Sequence, residues 1–80
     1  MQELKLYYYP ACPYCRKVTR FINKHDLKVN LKNINKDKEA ARKLVEVGGK
    51  RQVPCLFIDG QALYESDDII KWLKKNKLND

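Results

Sequence analysis

Cys12-Pro13-Tyr14-Cys15 follows the alternating run Leu4-Lys5-Leu6-Tyr7-Tyr8-Tyr9 and precedes a segment of helical period. The two cysteines must therefore lie where a strand turns into a helix. The aromatic-rich run suits a strand, and Pro10 stops it by removing a backbone donor. From Pro13 onward Val18, Phe21 and Ile22 recur at helical spacing, and proline is accepted in a first helical turn. Two thiols at this spacing can close a disulfide with each other, which points to redox chemistry.

A chain of 80 residues has room for one domain, over 1–80, and one modest core. No segment approaches the ~20 apolar residues of a membrane span, and Met1-Gln2-Glu3-Leu4-Lys5 lacks the apolar stretch of a signal peptide. A soluble, cytoplasmic protein is expected. The cysteines number 3, an odd count with two of them in C-x-x-C, which argues against the disulfide framework of a secreted mini-protein. The formal charge of +7 comes from basic residues scattered along the chain with no recognition motif beside them, so they read as solvated faces. Neither a nucleic-acid nor a membrane partner is expected, and the default oligomeric state is a monomer.

Further along, Val29 and Leu31 alternate with polar residues in Lys28 to Ile34, a second strand. Asn35 is placed to cap a helix that turns Ala40, Ala41, Leu44 and Val45 inward, and Gly48-Gly49 ends it. Cys55-Leu56-Phe57-Ile58, Asp59-Gly60 and Gln61-Ala62-Leu63-Tyr64 read as a hairpin, since Asp-Gly accepts the positive φ of a tight turn. Ser66 is expected to cap a last helix, with Asp67 and Asp68 in its first turn, Ile69, Ile70, Trp72 and Leu73 toward the core, and Lys74 to Asp80 frayed. The order is β-α-β-α-β-β-α. The first β-α-β makes a right-handed crossover with parallel strands, the hairpin completes a four-stranded mixed sheet, and the cysteines sit at the carboxyl edge, where ligands of open α/β sheets bind.

Cys12 is the expected nucleophile. At a helix N-terminus its sulfur faces unsatisfied N–H groups and the positive end of the helix dipole, which favour thiolate over thiol. Cys15, one turn into the helix, is less exposed and suited to resolve a mixed disulfide on Cys12. The pair could also be half of a zinc knuckle, but Cys55 is isolated and His25 falls ~15 Å from Cys15 along the helix; no metal is expected. Cys55, in an apolar strand, reads as a small hydrophobe, with a regulatory thiol as the alternative.

Taken together, Cys12-Pro13-Tyr14-Cys15, Val53-Pro54, Asp59-Gly60 and Ser66-Asp67-Asp68 make a chain that resembles the glutaredoxins of the thioredoxin-fold superfamily. The resemblance implies sheet order 2-1-3-4, strand three antiparallel to strand one, a cis peptide before Pro54, and glutathione as reducing co-substrate. It also implies that the tripeptide pairs with the Val53 backbone beside Cys12. Its γ-glutamyl carboxylate would lie on the helix start at Ser66, with Asp67 or Asp68 on its ammonium. These three residues also suffice as a cap and dipole complement. Lys50, Arg51 and Gln52 are available for the glycyl carboxylate, Arg51 being equally readable as a solvated charge. Tyr14 stacks on the tripeptide, offers it a hydroxyl, or only covers the helix.

The implied activity is glutathione-dependent reduction of protein disulfides and glutathione mixed disulfides, with ribonucleotide reductase among the possible partners. Two departures stand out: Tyr9 occupies a position that is often lysine, and Arg51-Gln52-Val53-Pro54 is similar to redoxins that thioredoxin reductase reduces. That rival activity and an iron-sulfur cluster carrier are the alternatives. Tyr64-Glu65-Ser66 is similar to the glutathione-binding Glu-Ser of glutathione transferase N-terminal domains.

Overall fold

The computed structural model describes residues 3–78. The elements are β1 (Leu4–Tyr8), α1 (Pro13–Lys24), β2 (Asn30–Asn33), α2 (Lys38–Gly48), β3 (Cys55–Ile58), β4 (Gln61–Tyr64) and α3 (Ser66–Lys77). The sheet order is β2-β1-β3-β4. β1 runs parallel to β2 with Leu6 opposite Leu31, and antiparallel to β3 with Leu6 opposite Leu56. The order and the orientation of the third strand are those the resemblance implied.

The two-residue period of the strands sorts side chains onto two covered faces. Leu4, Leu6 and Leu56 pack with Val18, Ile22, Ile69 and Leu73 of α1 and α3. Tyr7, Cys55 and Phe57 pack on the other side with Ile34, Ala40 and Leu44. The sheet is thus sandwiched, and Tyr8 is partly buried against the α1–α3 side.

Several local expectations are corrected. The second strand is shorter than Lys28–Ile34, and as an edge strand it leaves Leu31 42% exposed. Asp37, not Asn35, caps α2: its Oδ1 accepts from the Glu39 and Ala40 amides at 3.0 and 3.2 Å. Asn35 is held in a turn, donating its own amide to Asn33 Oδ1 at 3.0 Å. With the helix start shifted, Ala40 and Leu44 are buried, Ala41 is half-buried, and Val45 is 44% exposed.

Ser66 does not cap α3 either; it is the first helical residue, and Glu65 occupies the cap position without a side-chain cap bond. Nor does the last helix fray from Lys74, for α3 persists to Lys77 and Asn76 Nδ2 donates to the Trp72 carbonyl at 2.9 Å. The last two positions of that expectation lie outside the described residues.

The reassigned cap is directly testable. Asp37→Ala is expected to cost about 1 kcal/mol of stability in urea unfolding, and Asn35→Ala only a fraction of that. Equal costs would return the cap to the turn.

Candidate active site

β1 ends at Tyr8, and the chain turns through Tyr9–Ala11 to deliver Cys12 as the N-cap residue of α1. The Cys12 amide donates to the Tyr9 carbonyl at 3.2 Å, and the Cys12 carbonyl accepts from the Arg16 amide at 3.0 Å. Pro13 at the first helical position needs no amide partner. Both cysteines are free thiols, unequally accessible: Cys12 is 6% exposed and Cys15 fully buried. Burial pushes the Cys15 thiol up, a hydrogen bond with Cys12 adds to this, and a backbone hydrogen bond from Tyr9 opposes it. Cys15 is therefore held as a thiol at neutral pH while Cys12 lies at the surface end of the pair.

A groove of about 620 Å³ is lined by Tyr14, Gln52, Val53, Pro54, Glu65 and the Ser66–Asp68 turn. Its size falls in the ~300–1,000 Å³ range of small-molecule sites. Tyr14, two residues after Cys12, is 65% exposed and forms one wall. The Val53-Pro54 peptide is cis, as the resemblance implied. β3 begins at Cys55, so Val53 lies ahead of the sheet ladder, at the groove. On the opposite wall α3 opens with acidic residues in its first turn and no side-chain cap from Glu65. Its first amides are thus free of the usual capping oxygen.

Of the residues singled out in the sequence, Tyr14, Gln52, Val53, Pro54, Ser66, Asp67 and Asp68 line one groove. Arg51 is exposed and is not among the lining residues, in keeping with its reading as a solvated charge. Two contributors, Glu65 and Lys17, were not among the expected site residues. Glu65 sits at φ 75°, a region costly for a residue with a Cβ, and its Oε1 accepts from Gln52 Nε2 at 3.1 Å, bracing the two walls. The only sequence signal for Glu65 was its place in Tyr64-Glu65-Ser66.

Lys17 Nζ bonds Asp67 Oδ1 at 2.5 Å, tying α1 to α3 across 50 positions of sequence. The hydrogen bond from Lys17, followed by its charge, holds the Asp67 carboxyl below its usual range. No local pattern announces that contact.

Tyr64 anchors the segment that carries Gln52 and Val53. Its hydroxyl donates to the Lys50 carbonyl at 3.0 Å, and the Lys50 ammonium lies 4.9 Å from its ring centre. The fit depends on Gly48, where an added Cβ would fall 2.2 Å from Tyr64 Oη. Cys55 lies opposite Tyr64 in the β3–β4 register and is fully buried; burial pushes its thiol up to about 11. It serves as core. In Cys12→Ser/Cys15→Ser protein, Cys55 is expected to resist a thiol reagent until the chain unfolds; rapid labelling under native conditions would make it an accessible thiol.

Among the described residues, no group of three or more His, Cys, Asp or Glu side chains converges as a metal site, and no helix is long and apolar enough to cross a membrane. His25 lies at the far end of α1, its ring 4.5 Å from that of Phe21.

The family of the glutathione S-transferase N-terminal domain matches residues 6–78. The chain belongs to that family. Within it, the Tyr64-Glu65-Ser66 corner is the feature already similar to transferases. The chain is 34% identical over 73 residues to prostaglandin E synthase 2 of Danio rerio, which covers 90% of this chain but only 19% of that protein. It is also 27% identical over 82 residues to glutaredoxin 1 of Rickettsia prowazekii, covering 99% of this chain and 85% of that one. A crystal structure of a thioredoxin-like protein superposes with a TM-score of 0.80 at 24% identity, covering 94% of each chain, which shows the fold. The family member is thus a glutaredoxin-type, thioredoxin-fold redox protein.

Proposed function

We propose that this family member is a glutathione-dependent thiol–disulfide oxidoreductase that reduces glutathione mixed disulfides and protein disulfides through Cys12 and Cys15. The observation that carries the reading is the groove running from Tyr14, two residues after Cys12, past Val53 to the helix start at Ser66, which has no side-chain cap. Glutathione is an extended tripeptide with a carboxylate at each end and an ammonium at one. The groove offers backbone at Val53 for its middle and helix amides plus Asp67 for its γ-glutamyl end. Glutaredoxin 1 of Rickettsia prowazekii and the transferase domain family lend the same reading.

The Cys12 thiolate attacks the glutathione sulfur of a mixed disulfide; the S–S bond breaks, and the substrate leaves as a thiolate that takes up a proton. A second glutathione thiolate attacks the glutathione sulfur now bonded to Cys12, releasing glutathione disulfide and the Cys12 thiolate. In a protein disulfide, Cys12 attacks one sulfur and expels the other. Cys15 then gives up its proton and attacks Cys12, freeing the reduced substrate and leaving a Cys12–Cys15 disulfide that two glutathiones reduce. The two electrons come from two thiols in either route. Burial of Cys15 favours its thiol form in the ligand-free protein.

The test is reduction of hydroxyethyl disulfide followed by NADPH consumption. Turnover with glutathione and glutathione reductase supports the proposal. Turnover with thioredoxin reductase alone would keep the redox fold and remove glutathione from it.

A further inference from the structure

We propose that Arg16, Arg20 and Lys24 form a docking row for an acidic stretch of the polypeptide whose disulfide Cys12 reduces. This names the partner class for the site above and so rests on that reading. The three residues follow Cys12 at successive intervals of four, and the first turn of the row is joined to Cys12 by the Arg16 amide bond to its carbonyl. Residues so spaced lie one above another on a helix. All three are exposed, and among the described residues none has a carboxylate partner; the neighbouring Lys17 is engaged by Asp67. α1 itself carries no acidic residue.

Shallow, open depressions lie along this row. One depression of about 350 Å³ is lined by Pro13, Arg16, Lys17 and Arg20. Another of about 500 Å³ continues from Arg16 and Arg20 past Thr19 and Asn23 to Lys24. The track thus starts at Pro13, the residue that follows Cys12. Arg16 stands near the positive end of the helix dipole, where a cation gains nothing from the helix, whereas Lys17 beside it is taken up by Asp67.

The length of the row sets the footprint. From Cys12 to Lys24 a helix rises ~18 Å, which ~5–6 residues of extended chain span. Carboxylates within about six residues of the partner's cysteine would meet the three cations in turn. A polypeptide carries both the disulfide and the carboxylates, whereas a nucleic acid carries no sulfur for Cys12. The row also lacks the interleaved aromatics of a single-strand platform. A membrane surface is equally poorly matched, because the apolar side of α1, Val18 and Ile22, is buried against the sheet.

The test compares two glutathionylated peptides, one with Glu and one with Gln at the positions flanking cysteine, with hydroxyethyl disulfide as a small neutral control. At about 20 mM salt the Glu peptide is expected to be reduced with roughly tenfold higher kcat/KM, three exposed pairs contributing about twofold each. At about 300 mM salt screening should remove most of that preference. Arg16→Gln/Arg20→Gln/Lys24→Gln should abolish the preference and leave hydroxyethyl disulfide reduction unchanged. Arg20→Glu should shift the preference toward a Lys-flanked peptide, a gain that misfolding cannot produce.

Equal rates for the Glu and Gln peptides, or a preference that survives the triple change, would overturn the proposal. Anisotropy of labelled, cysteine-free versions of the peptides reads docking without turnover. Row-dependent binding there supports the docking surface even where every redox assay is silent, the case in which the enzymatic reading alone fails. Tighter row-dependent binding of a single-stranded oligonucleotide of matched charge would assign the row to nucleic acid and overturn the peptide.

Discussion

Cys12→Ser protein is expected to lose reduction of both glutathione mixed disulfides and protein disulfides by at least ~10³-fold, because a serine hydroxyl at neutral pH is no substitute for a thiolate. Cys15→Ser is expected to keep glutathione mixed-disulfide reduction within a few-fold while losing reduction of protein disulfides that require both thiols. The asymmetry follows from geometry. Cys12 holds the N-cap position of α1 and keeps 6% exposure, whereas Cys15 is fully buried with its thiol pushed up by that burial. Only a sulfur already bonded to Cys12 comes within reach of Cys15. Parallel rates of both variants on a glutathionylated peptide and on a disulfide-bonded peptide would measure this, and an equal loss in both assays would refute the division of labour.

The second large effect is expected at Asp67. If its carboxylate receives the ammonium of glutathione, Asp67→Asn should raise KM for a glutathione mixed disulfide about tenfold and leave kcat within about twofold, since a charged hydrogen-bond partner is lost far from the sulfur. Lys17 occupies the same carboxylate oxygen in the ligand-free structure. The pair is exposed, so it is weak and readily exchanged. Lys17→Met should therefore lower KM, the opposite sign to Asp67→Asn.

The pH behaviour has a definite sign. Lys17 depresses the Asp67 carboxyl, so in the ligand-free protein the charge is present above the depressed value and is lost only as pH falls through it. The ratio of KM values for the two proteins should then stay constant between about pH 6 and 7, well above the ordinary carboxylate range. A kcat effect in place of a KM effect would move Asp67 from binding to chemistry.

The legible parts of the molecule were those encoded locally or carried by motif spacing. The element order follows from the alternation of Leu4–Tyr9, the helical period after Pro13 and the Asp59-Gly60 turn, each a short-range signal. Sheet order and the cis Val53-Pro54 peptide came only with the family resemblance, since four strands do not declare their neighbours. Asn33, Asn35 and Asp37 all have capping side chains, and only the fold decides that Asn33 makes the turn and Asp37 the cap. Ser66 looked like a cap for the same reason. The chain instead turns at Glu65 with φ 75°, which sequence preferences disfavour in a residue with a Cβ. Lys17–Asp67 and Gln52–Glu65 were hidden because each joins side chains far apart in sequence, 50 and 13 positions.

The most direct test of the central claim is the intact mass and peptide map of Cys15→Ser protein after exposure to glutathione disulfide. The account predicts one glutathione per chain, bonded to Cys12, and released as free glutathione is added. An unmodified chain, or glutathione found on Cys55 with Cys12 free, would contradict it.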